Sequence, residues 1–121
     1  MTRKRLELGR YGEDLAVEFL IDKGYEIIDR NVRYPTGELD IVARETDTLV
    51  FVEVRTRSGF SYGNPGESIT WRKQQKLRQL ALLYLQSQDN RCKSFRIDAI
   101  LIVIPKEYPQ KASIEHVLHA A

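Results

Sequence analysis

Residues 37–57 read Gly37-Glu38-Leu39-Asp40-Ile41-Val42-Ala43-Arg44-Glu45-Thr46-Asp47-Thr48-Leu49-Val50-Phe51-Val52-Glu53-Val54-Arg55-Thr56-Arg57. Two apolar runs, 39–44 and 49–55, are separated only by Glu45-Thr46-Asp47-Thr48. A connection that short between strands favours an antiparallel hairpin. Side chains alternate along a strand, so Glu53 and Arg55 project to the face of Phe51, opposite Val50, Val52 and Val54. A carboxylate in so apolar a strand is costly unless it is paired or binds a cation. Asp40 raises the same question on the preceding run. Neighbouring strands lie roughly 5 Å apart, so a suitable register brings Asp40 and Glu53 together near one end of the hairpin. Two carboxylates with a cation beside them suit a hard divalent ion and a phosphate. An ordinary Glu–Arg pair at a strand end is the other reading that two strands leave open.

Outward from the hairpin, residues 8–23 form an amphipathic helix, with Leu8, Gly12, Leu15, Ala16, Phe19 and Leu20 on one face. Asp14, Glu18 and Asp22 lie on the other, and Gly24 is a natural stop. A strand begins at Tyr25–Asp29, and 31–37 carries a Pro-Thr-Gly turn signal. Residues 58–66, with three glycines and Asn64-Pro65-Gly66, are the most loop-like segment. A second helix is expected over Glu67–Gln88, with Ile69, Leu77, Leu80, Ala81 and Tyr84 on one face. Arg96–Ile104 is apolar enough to be a central strand, and Ala112–Leu118 closes the chain as an edge strand after the loop 105–109. The order αβββαββ implies an α/β fold: one domain over 1–121, with a mixed central sheet flanked by helices.

The 121 residues carry 19 lysines and arginines against 17 acids, a formal +2 that excludes a bulk polycation. The charge is uneven. Residues 1–10 hold four basic side chains against Glu7, and residues 55–78 hold six against Glu67, so the rest of the chain is acidic. The one cysteine, Cys92, forms neither an intrachain disulfide nor a four-thiolate zinc site. No apolar run approaches the roughly 20 residues that span a bilayer, and no secretory h-region follows the basic start. A cytoplasmic protein without a membrane partner is the expectation.

Two helical residues join the strand acids. Glu13 lies close in angle to Leu20, at the flank of the buried stripe, and Lys73 shares the face of Ile69, Leu77 and Tyr84. A lysine there can simply snorkel, but with Glu13 it completes a constellation of three acids and a base directed at one sheet. Gly9 and Gly12 would let the first helix approach that sheet closely.

These residues resemble a known family. Gly12-Glu13-Asp14-Leu15-Ala16, Asn31-Val32-Arg33, Gly37-Glu38-Leu39-Asp40, Phe51 to Arg57, Lys73 and Arg96-Ile97-Asp98 are similar, in order and over nearly the whole chain, to the YraN family of small bacterial proteins. The resemblance implies a restriction-endonuclease-like fold, related to archaeal Holliday junction resolvases, with the aspartate and Glu-x-Lys signature of metal-dependent nucleases. Asp40 matches the signature aspartate, Glu53 the glutamate, and Glu13 a first-helix acid of the resolvase-like branch. Arg55 stands where the signature has lysine. A lysine can orient or help deprotonate water, whereas arginine keeps its proton and only positions groups or stabilises charge. Lys73 is the candidate to replace it.

The implied catalytic set is Asp40, Glu53, Arg55 and Lys73. Asp40, Glu53 and Glu13 would hold Mg²⁺ or Mn²⁺. Nucleic-acid contacts are expected from Arg33, Arg57, Arg72 and Lys76, with Tyr62 and Trp71 as stacking surfaces, although isolated arginines are often only solvated and Trp71 equally suits packing. Glu38 is either an extra ligand or a partner for Arg33. His116 and His119 read as structural or surface residues, and Asp98 either pairs with a base of the site or caps the sheet. Three functions follow: a metal-dependent endonuclease on structured DNA, acting as a homodimer by analogy with the resolvases; a nucleic-acid-binding module of the same fold without cleavage; or a protein-interaction scaffold with a decayed site.

Overall fold

The computed structural model describes residues 3–58, 69–87 and 94–121. Cys92, Tyr62, Glu67, Gln88 and nearly all of the 58–66 loop lie outside them. Helix α1 (Arg3–Asp22) leads into three antiparallel strands, β1 (Glu26–Tyr34), β2 (Gly37–Glu45) and β3 (Thr48–Ser58). Helix α2 (Trp71–Ser87), strand β4 (Ser94–Ile104), a 3₁₀ turn (Pro109–Lys111) and β5 (Ser113–Val117) complete the chain. The five strands lie side by side in chain order, with β3 and β4 parallel and the other neighbours antiparallel. The expected mixed α/β sheet with two flanking helices is what forms, and the 39–44 and 49–55 runs are indeed a hairpin.

Alternation along the strands builds two cores. Val50, Val52, Ile41, Ile100 and Ile102 pack with Ala16 and Leu20 of α1, while Phe51, Leu49, Ile97, Ala99 and Leu101 pack with Leu77, Leu80, Ala81 and Tyr84 of α2. β4 is therefore apolar on both faces, as an interior strand covered by helices must be.

The α1 stripe seats as its periodicity implies, with Gly12, Ala16 and Leu20 buried and Asp14 and Glu18 exposed. Gly12 is the point of closest approach: a Cβ there would lie 2.0 Å from Thr56 Oγ1 on β3. Gly9, by contrast, faces open space, so only one of the two glycines serves the docking. Gly24, at φ +93°, ends the helix, with its N–H and that of Tyr25 donating back to Ile21 and Leu20 carbonyls.

β1 runs on to Tyr34, and the turn falls on Pro35 and Thr36, within the Pro-Thr-Gly signal. Two boundaries differ from expectation. α1 starts at Arg3 rather than at 8. α2 starts at Trp71, after Thr70 Oγ1 accepts a hydrogen bond from the Lys73 N–H at 3.2 Å as an N-cap, so Ile69 is buried from the preceding turn. Among the described residues no helix is long and apolar enough to cross a membrane.

A candidate acidic active site

The site lies where the N-terminal half of α1 crosses the end of the β1–β3 meander. A cleft of about 1140 Å³ opens there, lined by Arg10, Glu13, Arg33, Glu38, Asp40 and Arg57 among others. Asp40 is half-buried in it, and its Oδ2 accepts the Val54 N–H at 2.9 Å. That bond ties a β2 side chain to β3 just beyond the regular pairing, which ends at Ile41–Val52.

Burial, and then the charge of Glu53, push the Asp40 carboxyl up to about 7; the Val54 hydrogen bond opposes this, and Glu13 and Glu38 add to it. Glu53 is also held above its ordinary range, chiefly by burial, although Lys73 and Arg55 pull it down and Glu38 pushes it up. Lys73 reaches down from α2 to place Nζ 3.5 Å from Glu53 Oε1. The hairpin register thus sets Glu53 beside Asp40, whose affinity for protons it raises, and the α2 face brings Lys73 to Glu53.

Glu13 faces Asp40 from α1, but both of its oxygens are engaged. Arg30 Nη2 donates to Oε1 at 3.1 Å and to Asp14 at 2.8 Å, and Asn31 Nδ2 donates to Oε2 at 3.1 Å. The same amide donates to Glu38 Oε1 at 2.8 Å. Glu38 also meets Arg33, loosely, at 3.8 Å. Arg30 was not singled out from sequence, and Asn31 entered only as part of the Asn31-Val32-Arg33 motif, with no role assigned to it.

Among the described residues no three carboxylates, histidines or thiols form a ready-made metal cage. The donor chemistry still suits Mg²⁺ or Mn²⁺, since Mg²⁺ usually takes only one or two protein carboxylates and completes its shell with water and phosphate oxygens. Asp40 and Glu53 are such a pair, with Glu13 and Glu38 supplying further negative field. Arg33 and Arg57 are exposed on the cleft wall, while Arg72 and Lys76 are exposed on α2 outside it. Trp71 is 74% exposed and packs into neither core.

A second buried acid sits at the other end of α1. Asp98, opposite Val52 and fully buried, accepts hydrogen bonds from Arg96 Nε at 3.0 Å, His116 Nε2 at 2.8 Å and the His119 N–H at 3.1 Å. Lys23 Nζ donates to His116 Nδ1 at 2.9 Å. An ammonium only donates and a carboxylate only accepts, so the ring hydrogen is on Nε2. Arg96 continues to Glu45 and to the Tyr25 hydroxyl. Asp98 thus neither pairs with a base of the cleft nor caps the sheet: Arg96 and His116 hold it inside, and His116 is structural.

A mixed α/β sheet with an acidic, arginine-rimmed cleft at one end is the class that the fold and site define. Residues 12–102 match the model of the uncharacterised protein family UPF0102. The chain belongs to this family, as its YraN-type motifs implied. It is 45% identical over 115 residues to a UPF0102 protein of Rhodococcus opacus, covering 95% of this chain and 96% of that one. It is 43% identical over 116 residues to one from Syntrophotalea carbinolica (96% and 92% covered), and 40% identical over 98 residues to one from Dictyoglomus turgidum (81% and 83% covered). None of these names states an activity.

Proposed function

We propose that this chain is a divalent-metal-dependent nuclease that hydrolyses phosphodiesters in structured DNA, built as a single restriction-endonuclease-like domain related to the resolvases. The observation that carries the reading is Asp40, which lines an arginine-rimmed cleft and whose carboxyl is pushed up to about 7 by burial and by the charge of Glu53, itself held above its ordinary range. Natural proteins rarely leave such groups unneutralised unless a ligand completes them.

Asp40 and Glu53 would hold Mg²⁺ or Mn²⁺, with Glu13 contributing from α1. The ion would supply Lewis acidity and an activated water. Asp40, once its proton is displaced, offers the oxygen that Val54 does not occupy. Lys73 holds Glu53 in place and, with Arg55, sets positive charge beside the position of the scissile phosphate, where negative charge grows in the transition state. Arg33 and Arg57 grip neighbouring phosphates, and Arg72, Lys76 and Trp71 extend the contact along α2. A homodimer acting on two strands and a cytoplasmic location belong to the same reading.

A second reading, DNA binding without cleavage, is favoured by Arg55 itself. A guanidinium cannot relay a proton, and Lys73, the candidate substitute, is already engaged with Glu53.

The test is incubation with Mg²⁺ or Mn²⁺ and linear, flapped and four-way-junction DNA. Cleavage by the wild type that falls at least about 100-fold in Asp40→Ala and Glu53→Ala supports the nuclease. Cleavage that survives both substitutions removes the site assignment. Salt-sensitive binding with no cut selects the second reading, and Arg55→Lys should then gain activity by about tenfold or more. No salt-sensitive binding at all leaves the interaction scaffold.

A further inference from the structure

Asn31 lies in the middle of β1, yet its φ is +52°, a left-handed conformation that few residues other than glycine adopt. Its neighbours pair normally. Arg30 stands across from Ile41 and Val32 across from Leu39, which sets Asn31 opposite Asp40. The turn also changes the face that the strand presents. Arg30 reaches α1, whereas Val32 packs into the α2 core. Strand β2 makes the matching change at Asp40, with Leu39 in the α2 core and Ile41 in the α1 core. The two irregular residues of adjacent strands therefore face each other at the cleft.

The consequence is carried by the Asn31 amide. Its Nδ2 donates both hydrogens to carboxylates, one to Glu13 on α1 and one to Glu38 on β2. Ionised carboxylates only accept, so the orientation of the amide is fixed by its partners. Both of those acids act electrostatically on Asp40. A regular extended residue at this position would direct its side chain to one face of the sheet, and one amide would not bridge the helix and the neighbouring strand. Unusual backbone that persists at a site is commonly part of what the site does.

We propose that Asn31 is a positioning residue of the cleft: its left-handed backbone aims one amide at Glu13 and Glu38 and holds both carboxylates beside Asp40, concentrating the negative field that captures a divalent cation. The proposal rests on the cation-site reading of the cleft but not on cleavage of DNA. Asn31 touches neither the ion nor the substrate; it acts through the two acids.

Asn31→Gly accepts the same backbone and deletes the amide. The variant should keep its melting temperature while its affinity for Mn²⁺, measured by calorimetric titration of the whole chain, falls about tenfold. In a Glu13→Gln, Glu38→Gln background the same substitution should cost less than about twofold, because the groups it acts through are already altered. Asn31→Ala, which deletes the amide without adding charge, supplies the measurement if the glycine variant does not fold. Unchanged Mn²⁺ affinity in the folded variant, an equal loss in the double-glutamine background, or a wild type that binds no Mn²⁺ overturns the proposal. The two readings fail separately. A wild type that binds Mn²⁺ in an Asn31-dependent way but leaves DNA intact removes only the nuclease. Cleavage of DNA combined with unchanged Mn²⁺ affinity in Asn31→Gly removes only the positioning role.

Discussion

Asp40 and Asp98 are both aspartates on strands of one sheet, close to α1, and their surroundings treat them in opposite ways. For each, burial is the largest influence and raises the carboxyl pKa. At Asp98 that effect is reversed by donors from His116 and Arg96, with the His119 N–H behind them, so the group lies below its ordinary range although it is wholly buried. At Asp40 one donor among the described residues, Val54, stands against three acids, and the group rises to about 7. A buried acid surrounded by donors is a cross-link, whereas one surrounded by other acids keeps its proton to higher pH. Asp98 joins β4 to β5 and, through His116 and Lys23, to the end of α1; among the described residues Asp40 joins only β3.

The sharpest way to break this contrast is Asp98→Ala. It leaves Arg96, only 10% exposed at its side chain, and His116 with no carboxylate between them. Breaking a buried pair typically costs about 3–5 kcal/mol; Arg96 keeps its ion pair with Glu45, so urea unfolding at neutral pH should show a loss at the lower end, about 3 kcal/mol. Protection of the β5 amides from hydrogen exchange should fall with it. A loss below about 1 kcal/mol would mean that the network is ornamental, and the two aspartates would no longer be opposites.

The next effect has the other sign. Asp40 has a folded pKa of about 7 against 3.8 when unfolded, so the native state binds more protons between those values and stability falls as pH rises through them. Asp98, whose carboxyl is lowered, contributes stability that is fully present above its unfolded pKa and is lost only as pH falls through the lower folded value. Asp40→Asn removes the first slope while keeping an acceptor for Val54. With a chelator present, the variant should be more stable than wild type by about 2 kcal/mol at pH 8, less than the full shift because the cleft admits water and salt. The difference should vanish near pH 4. Added Mn²⁺ should then stabilise the wild type and leave the variant unmoved. A variant less stable than wild type at pH 8 would make Asp40 a structural acid.

Sequence made much of this legible, for physical reasons. The period-two alternation of 49–55 placed Glu53 with Phe51 and Lys73 on the facing helix stripe, and both are found there. The hairpin could be read because its connection is short. What could not be read depended on single residues that depart from their element. Asn31 carries no periodic mark, since one left-handed residue in a strand costs little locally and is maintained by contacts from α1 and β2 that a linear pattern does not contain. Asp98 is similar: its alternation placed it on a buried face, but its partners, His116 and His119, lie 18 and 21 residues away. The Pro-Thr-Gly signal within 31–37 marks the turn that joins β1 to β2. Alternation and helical spacing pointed to Asp40, Glu53 and Glu13, while the contacts around them follow no period.

The smallest expected effect tests the other cation in the comparison. Lys73 meets Glu53 at 3.5 Å with 36% of its own side chain exposed, whereas Arg96 meets Asp98 with 10%. Water competes for the first pair and hardly for the second, so the same kind of ion pair should differ in worth. Lys73→Gln should cost no more than about 0.5–1 kcal/mol in urea unfolding. It should also raise the Glu53 carboxyl further, since Lys73 is the leading influence holding it down. A ¹³C titration of the Glu53 side chain reads this second change directly. A stability loss approaching that of Asp98→Ala would place Lys73 and Glu53 among the cross-links of the fold. The cleft would then lose its base, because a lysine that the fold cannot spare is not free to stabilise charge on a phosphate.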